Sequence, residues 1–222
     1  MRFLSFFCFL ILNGLLFSQN ITENGMKQGS WIGYHENGKI KYKGQFYDGM
    51  EYGLFSYFDV NENLVVELNY IDTGVTSIAK IFHFNGKIKS EGEYTNKLKT
   101  STWLSYDYDG MIISSEEYTQ GKLNGICKYY FKNRNFSEIS SYLNGEKNGL
   151  SKQYYYNGLL SSKINYENGF RHGFCQFFYN NIKNSIESEG KYNIGLMDST
   201  WIFYDENRIL LKKETYFNGK TK

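Results

Sequence analysis

Eight aromatic residues recur at a nearly fixed interval: Tyr34, Phe58, Phe82, Tyr106, Tyr130, Tyr154 and Phe178 stand 24 residues apart, and Tyr204 follows after 26. Three residues beyond each stands Asn37, Asn61, Asn85, Asp109, Asn133, Asn157, Asn181 or Asn207. A period of this length kept in phase across the chain signals a repeat array, in which each unit packs only on its neighbours. One unit reads Gly29 to Tyr52, GSWIGYHENGKIKYKGQFYDGMEY.

Each unit holds two extended runs around a turn signal. In the first they are Trp31 to His35 and Lys39 to Phe46, flanking Glu36-Asn37-Gly38. Asn-Gly between alternating runs is a hairpin signal, and a second one, Asp48-Gly49, leads into the next unit. Aromatics at 19% and the lack of any proline favour strands throughout. A three-residue loop with Gly38 left-handed pairs Tyr34 with Ile40. Simple alternation then puts Tyr34, Ile40 and Phe46 on one face, which predicts an aromatic-aliphatic core from these three columns. Gly44, Gly92 and Gly190 fall on that face, where a neighbouring ring can lie flat on the backbone. Trp31, Phe55, Ala79, Trp103, Cys127, Ser151, Cys175 and Trp201 share one position on the opposite face and follow no evident rule.

Some units depart from the pattern. Glu62, Arg134, Ile182 and Arg208 replace the turn glycine, which predicts other turn geometries there. The seventh unit carries two extra residues between Asn181 and Ile186, as a bulged or longer loop would. Thr73, Ser77, Lys97 and Ser101 stand at junctions where other units have glycine. Tyr129, Phe131, Tyr155, Phe177 and Tyr179 gather on the opposite face in units five to seven, and exposed rings in a single-layer sheet form a candidate partner-binding patch.

The first residues form a separate object. Arg2 precedes an apolar run from Phe3 to Phe17, then Ser18 and Gln19. This is the pattern of a secretory signal peptide, short of the roughly 20 residues a spanning helix needs. The chain therefore divides into a signal peptide (1–18), a short lead-in (19–28) and an eight-unit repeat domain (29–222). Without the leader, 24 bases face 23 acids, a net charge of +1. Nothing in that balance steers the protein to nucleic acid or to an anionic membrane, so lipid contact has no support from charge. Cys127 and Cys175 lie two repeats apart, too far for a disulfide, and are expected to be free, packed thiols. His35 and His83 are separated in the same way and cannot share a zinc ion. His172 stands beside Arg171 in a junction. No catalytic motif is present, so no catalytic residue, metal site or cofactor is expected.

The frame W-x-x-Y-x-x-N-G-K-I-x-x-x-G-x-Y-x-x-G resembles the MORN repeat, in the bacterial variant of YwqK-type antitoxins, from about Gly25 to Gly219. The resemblance implies an all-β fold: an elongated single-layer antiparallel sheet of about eight stacked 24-residue hairpins. It also implies a non-catalytic scaffold that binds protein or sometimes lipid. Together with the leader, this gives an exported protein-binding or structural scaffold of the cell envelope, periplasmic, on the outer membrane or extracellular. An antitoxin or immunity role and a lipid-headgroup scaffold are the alternatives.

Overall fold

The computed structural model describes residues 20–222; the signal-peptide reading of residues 1–18 lies outside them. All regular structure among the described residues is β. The strands are β1 (Ile21–Glu23), β2 (Met26–Tyr34), β3 (Ile40–Tyr47), β4 (Met50–Phe58), β5 (Leu64–Tyr70), β6 (Thr76–Phe82), β7 (Ile88–Thr95), β8 (Leu98–Tyr106), β9 (Ile112–Thr119) and β10 (Lys122–Leu123). They continue as β11 (Gly125–Tyr130), β12 (Phe136–Leu143), β13 (Glu146–Tyr154), β14 (Leu160–Glu167), β15 (Phe170–Phe178), β16 (Ile186–Asn193), β17 (Leu196–Tyr204), β18 (Leu210–Phe217) and β19 (Lys220–Thr221). Successive strands pair antiparallel, except that β10 and β11 do not pair with each other and both pair with β9. The result is one open meander of 19 strands.

The hairpin turns follow the predicted register. Tyr34 pairs with Ile40, His35 N donates to Lys39 O (2.8 Å), and Gly38 is left-handed at φ 81°. The turns lacking glycine were expected to differ, and three do not: Glu62, Arg134 and Arg208 adopt φ of 68°, 70° and 66° in the same loop. Side-chain caps hold two of them. Asp59 Oδ1 accepts from the N–H groups of Asn61 and Asn63, and Asp205 Oδ1 does so from Asn207 and Ile209. The seventh turn, with its two extra residues, instead places Asn184 left-handed.

The faces are not those simple alternation predicts. All eight hairpins carry a β-bulge where the first strand enters the turn, as between Gly33 and Tyr34, where Gly33 faces Tyr42 while Tyr34 faces Ile40. One extra residue on the return strand flips side-chain parity. Trp31 therefore pairs with Gly44 and shares its face with Phe46, while Tyr34 and its equivalents turn to the other side. There the Tyr106 hydroxyl donates to Glu91 Oε1 (2.6 Å) and the Tyr204 hydroxyl to Glu189 Oε1 (3.1 Å).

The Trp31 column is thus the centre of the core. Phe55, Ala79, Trp103, Cys127, Ser151, Cys175 and Trp201 are all buried to 2% exposure or less. The expected Tyr70-to-Tyr216 column sits beside it, half-buried. The ring prediction for the glycines holds, and the rings come from the Trp31 column: a methyl group at Gly44, Gly92 or Gly190 would strike Phe55, Trp103 or Trp201.

Between units a second irregularity brings these rings into place. Lys43 pairs with Ser56 and Gln45 with Tyr52, so Gly44 faces the three residues Gly53 to Phe55. Gly53 is left-handed there (φ 64°), and Phe55 folds over Gly44. The β5–β6 joint has no such irregularity: Leu68 pairs directly with Ala79, and Ser77 replaces the left-handed residue.

The described sheet closes on a half-unit at each side. Trp103 and Trp201 each donate an indole N–H to the carbonyl ten residues earlier, Glu93 O and Lys191 O (both 3.0 Å). Trp31 makes the same bond to Ile21 O (3.1 Å), so β1 stands where the return strand of a preceding hairpin would. At the other side β19 caps β18 through Asn218-Gly219.

Candidate partner-binding surface

Three surfaces meet in this sheet: the ring face, the opposite face and the row of hairpin tips. On the ring face the central column obeys a rule of complementary size. Residues eleven apart sit against each other across every joint: Gly44 and Phe55, Leu68 and Ala79, Gly92 and Trp103, Glu116 and Cys127, Ser140 and Ser151, Ile164 and Cys175, Gly190 and Trp201. A large side chain always meets a small one, or two small ones meet. The position without an evident rule in the sequence has one after all, visible only once the eleven-residue partner is known.

The middle of the ring face is polar. Ser140 Oγ lies 2.6 Å from Ser151 Oγ and donates to Glu138 Oε1 (2.7 Å). Lys147 Nζ approaches the same carboxylate at 2.5 Å, and Gln153 Nε2 donates to its other oxygen (3.2 Å). Burial pushes the Glu138 carboxyl up, but these hydrogen bonds and the Lys147 charge outweigh it and hold the carboxyl below its ordinary value. Burial raises both thiols, Cys175 to about 11, and both are free. Their neutral, enclosed sulfurs are poor nucleophiles. Among the described residues no group of histidine, cysteine and acidic side chains can hold a metal ion.

The five rings of the expected patch do not form one surface. Tyr129 and Phe177 are half-buried on the ring face, opposite Glu138 and Ser188. Phe131, Tyr155 and Tyr179 sit at the tips, where their N–H groups close the turns. Tips are stitched from unit to unit. The Tyr155 and Tyr179 hydroxyls donate to Phe178 O (2.7 Å) and Tyr204 O (2.9 Å), and Nε2 of His35 and His83 donates to Phe58 O (2.9 Å) and Tyr106 O (3.0 Å). Asn37, Asn85 and Asn133 bond in the same way to Val60 O, Tyr108 O and Tyr156 O. The recurring asparagines and the aligned histidines thus hold neighbouring turns together. His172 instead lies 3.4 Å from Glu167.

The opposite face carries a feature that sequence reasoning missed. Leu54, Ile78, Ile126, Leu150 and Phe174 occupy one repeat position and are exposed by 41 to 53%, with Thr102 the one polar residue between them. Each is next to the Trp31 column in sequence and so points away from it. Lys128, Lys152 and Lys163 run alongside, and Lys152 and Lys163 stand directly opposite each other. The signal was present in the sequence at 24-residue spacing, but the wrong assignment of faces concealed it.

Fold and surface together define an open β-hairpin repeat array. Residues 27–48, 76–96 and 147–168 match the MORN repeat variant family, so MORN-type repeats are present in the chain. No curated protein matches it. Among solved structures it is similar to a point mutant of S. aureus TarM in complex with Fondaparinux, alpha-GlcNAc-glycerol and UDP (12% identity, TM-score 0.33) and to TarM (11%, 0.32). Each alignment covers 43% of this chain and 19% of the other, and likeness at that level assigns no activity here.

Proposed function

We propose that this chain is a non-catalytic, exported scaffold of the cell envelope that binds another protein along the length of its sheet. The observation that supports this most is the exposed row Leu54, Ile78, Ile126, Leu150 and Phe174. Exposed apolar side chains repeated along one face, spaced by Asn69 and Asn165 on the strands between, mark partner surfaces more than ligand pockets. It spans six units and draws an apolar residue from five of them, as an extended partner requires, and the flanking lysines supply a polar rim. Export rests on the Arg2 and Phe3–Phe17 pattern.

The test is crosslinking capture from the cell envelope with the chain from Gln19 onward. Threonine already stands at this position in Thr102 and Thr200, so Leu54→Thr, Ile126→Thr, Leu150→Thr and Phe174→Thr together keep a residue the fold accepts. Capture of a specific protein by the parent and its loss by the variant supports the reading. Equal capture by both assigns binding to another surface. An immunity role of the YwqK type would use the same stripe and is recognised by rescue of growth against a co-expressed toxin.

A further inference from the structure

Successive rings of the Phe46 column bracket a series of slots on the ring face, and five of them are filled from one of two positions. Phe55 fills the second, edge-on to Phe46 (5.2 Å between centroids) and to Tyr70 (5.6 Å). Trp103 fills the fourth beside Tyr94 (4.8 Å), with Lys99 Nζ 4.2 Å from the indole centroid. Lys147 lies over Tyr166 (5.3 Å) and Arg171 over Tyr192 (5.4 Å), filling slots whose central residues are the small Ser151 and Cys175. Trp201 fills the last against Tyr192 (5.1 Å).

The third slot differs. Its central residue is Ala79, and the position that elsewhere supplies Lys99, Lys147 or Arg171 is Val75. Both are too short to reach across. A cavity of about 250 Å³ remains, walled by Tyr70 and Tyr94, floored by Leu68 and Ser77, and rimmed by Val75 and Lys97. That volume is below the roughly 300–1,000 Å³ of small-molecule sites and suits a single large side chain. Aromatic walls favour an edge-on ring, the arrangement Phe55 shows one unit earlier.

We propose that this slot receives one aromatic side chain from a protein partner, occupying from outside the space beside Val75 that Lys99, Lys147 or Arg171 fills in the equivalent slots. The inference rests on the protein-binding reading above and gives it an anchor, since buried aromatic side chains in fitted pockets dominate interface energetics.

The probe is N-acetyltryptophanamide, with N-acetylalaninamide as control, titrated into the chain from Gln19 onward while the Leu68 and Val75 methyl signals are followed by NMR. Saturable shifts at those methyls with the tryptophan probe alone are expected. Val75→Lys places in the slot the side chain that fills its equivalents, and it should weaken probe binding about tenfold or more without lowering the thermal midpoint. Val75→Arg, the residue that fills the Arg171 slot, should do the same. Absence of saturable shifts, shifts located elsewhere, or undiminished binding by the filled variant overturns the proposal. The probe needs no natural partner, so its failure leaves the scaffold reading standing, whereas failed envelope capture counts against the scaffold whatever the slot does.

Discussion

Gly190 with Trp201, and Ser140 with Ser151, occupy the same two places in the sheet four strands apart, yet they hold their joints by different physics. At the first, an indole lies on bare backbone and gathers Phe177, Phe203 and Tyr192 around it at 5.1 to 6.3 Å. At the second, two hydroxyls 2.6 Å apart are tied to Glu138 and through it to Lys147 and Gln153. What the joints share is a filled interior. A repeat array whose units touch only their neighbours can exchange ring burial for a satisfied polar network at one joint without disturbing the next. Where Val75 replaces the long side chain of the equivalent units, an opening results.

The largest effect should come from removing a ring. Trp201→Ala is expected to cost about 3–5 kcal/mol in denaturant unfolding, because it empties a site that cannot collapse onto glycine. Ser151→Ala, at the same position in the polar joint, should cost far less; equal losses would erase the contrast. Overpacking comes next. Gly190→Ile should cost about 1–3 kcal/mol by driving a side chain into the indole. Combined with Trp201→Cys it recreates the Ile164–Cys175 pair, and the double variant should be more stable than the two single losses added together, by about 0.5–3 kcal/mol. Strict additivity would show that the eleven-residue pairing carries no coupling.

In the polar joint, Ser140→Ala leaves the Ser151 hydroxyl buried without its partner and should cost about 1–2 kcal/mol, whereas Ser140→Ala with Ser151→Ala should cost less than Ser140→Ala alone. A more costly double variant would mean that packing, not hydrogen bonding, holds this joint. The smallest effect is on pH. Burial raises the Cys175 thiol from 9.0 to about 11, so the unfolded chain ionises first and releases a proton on unfolding between those values. Stability should therefore fall as pH rises from about 9 to 11, and Cys175→Ser should flatten that limb of the curve. An unchanged slope in the variant would remove Cys175 as its source.

The period, the hairpin count, the glycine-bearing turns and the pairing of Tyr34 with Ile40 were legible, because Asn-Gly signals and aromatic spacing act locally; that Glu62, Arg134 and Arg208 keep the same left-handed turn was not. The faces were not, although each bulge sits at the same place in every unit. Parity counting assumes an uninterrupted ladder, and one inserted residue in the return strand inverts every inference beyond it. The error moved Trp31, Phe55 and Trp103 out of the core and hid the row from Leu54 to Phe174 behind them. It also grouped Tyr129 and Phe177 with Phe131, Tyr155 and Tyr179, which the structure distributes between the ring face and the tips.

The amino-acid sequence alone determined that this chain is an array of β-hairpins, since a 24-residue period with two turn signals per unit admits no other local structure. The tertiary structure decided which side of the sheet each residue takes and which residue eleven positions away must match it in size. Those relations depend on where the backbone bulges and on how much volume each joint encloses. Both are properties of packed neighbours rather than of any one segment.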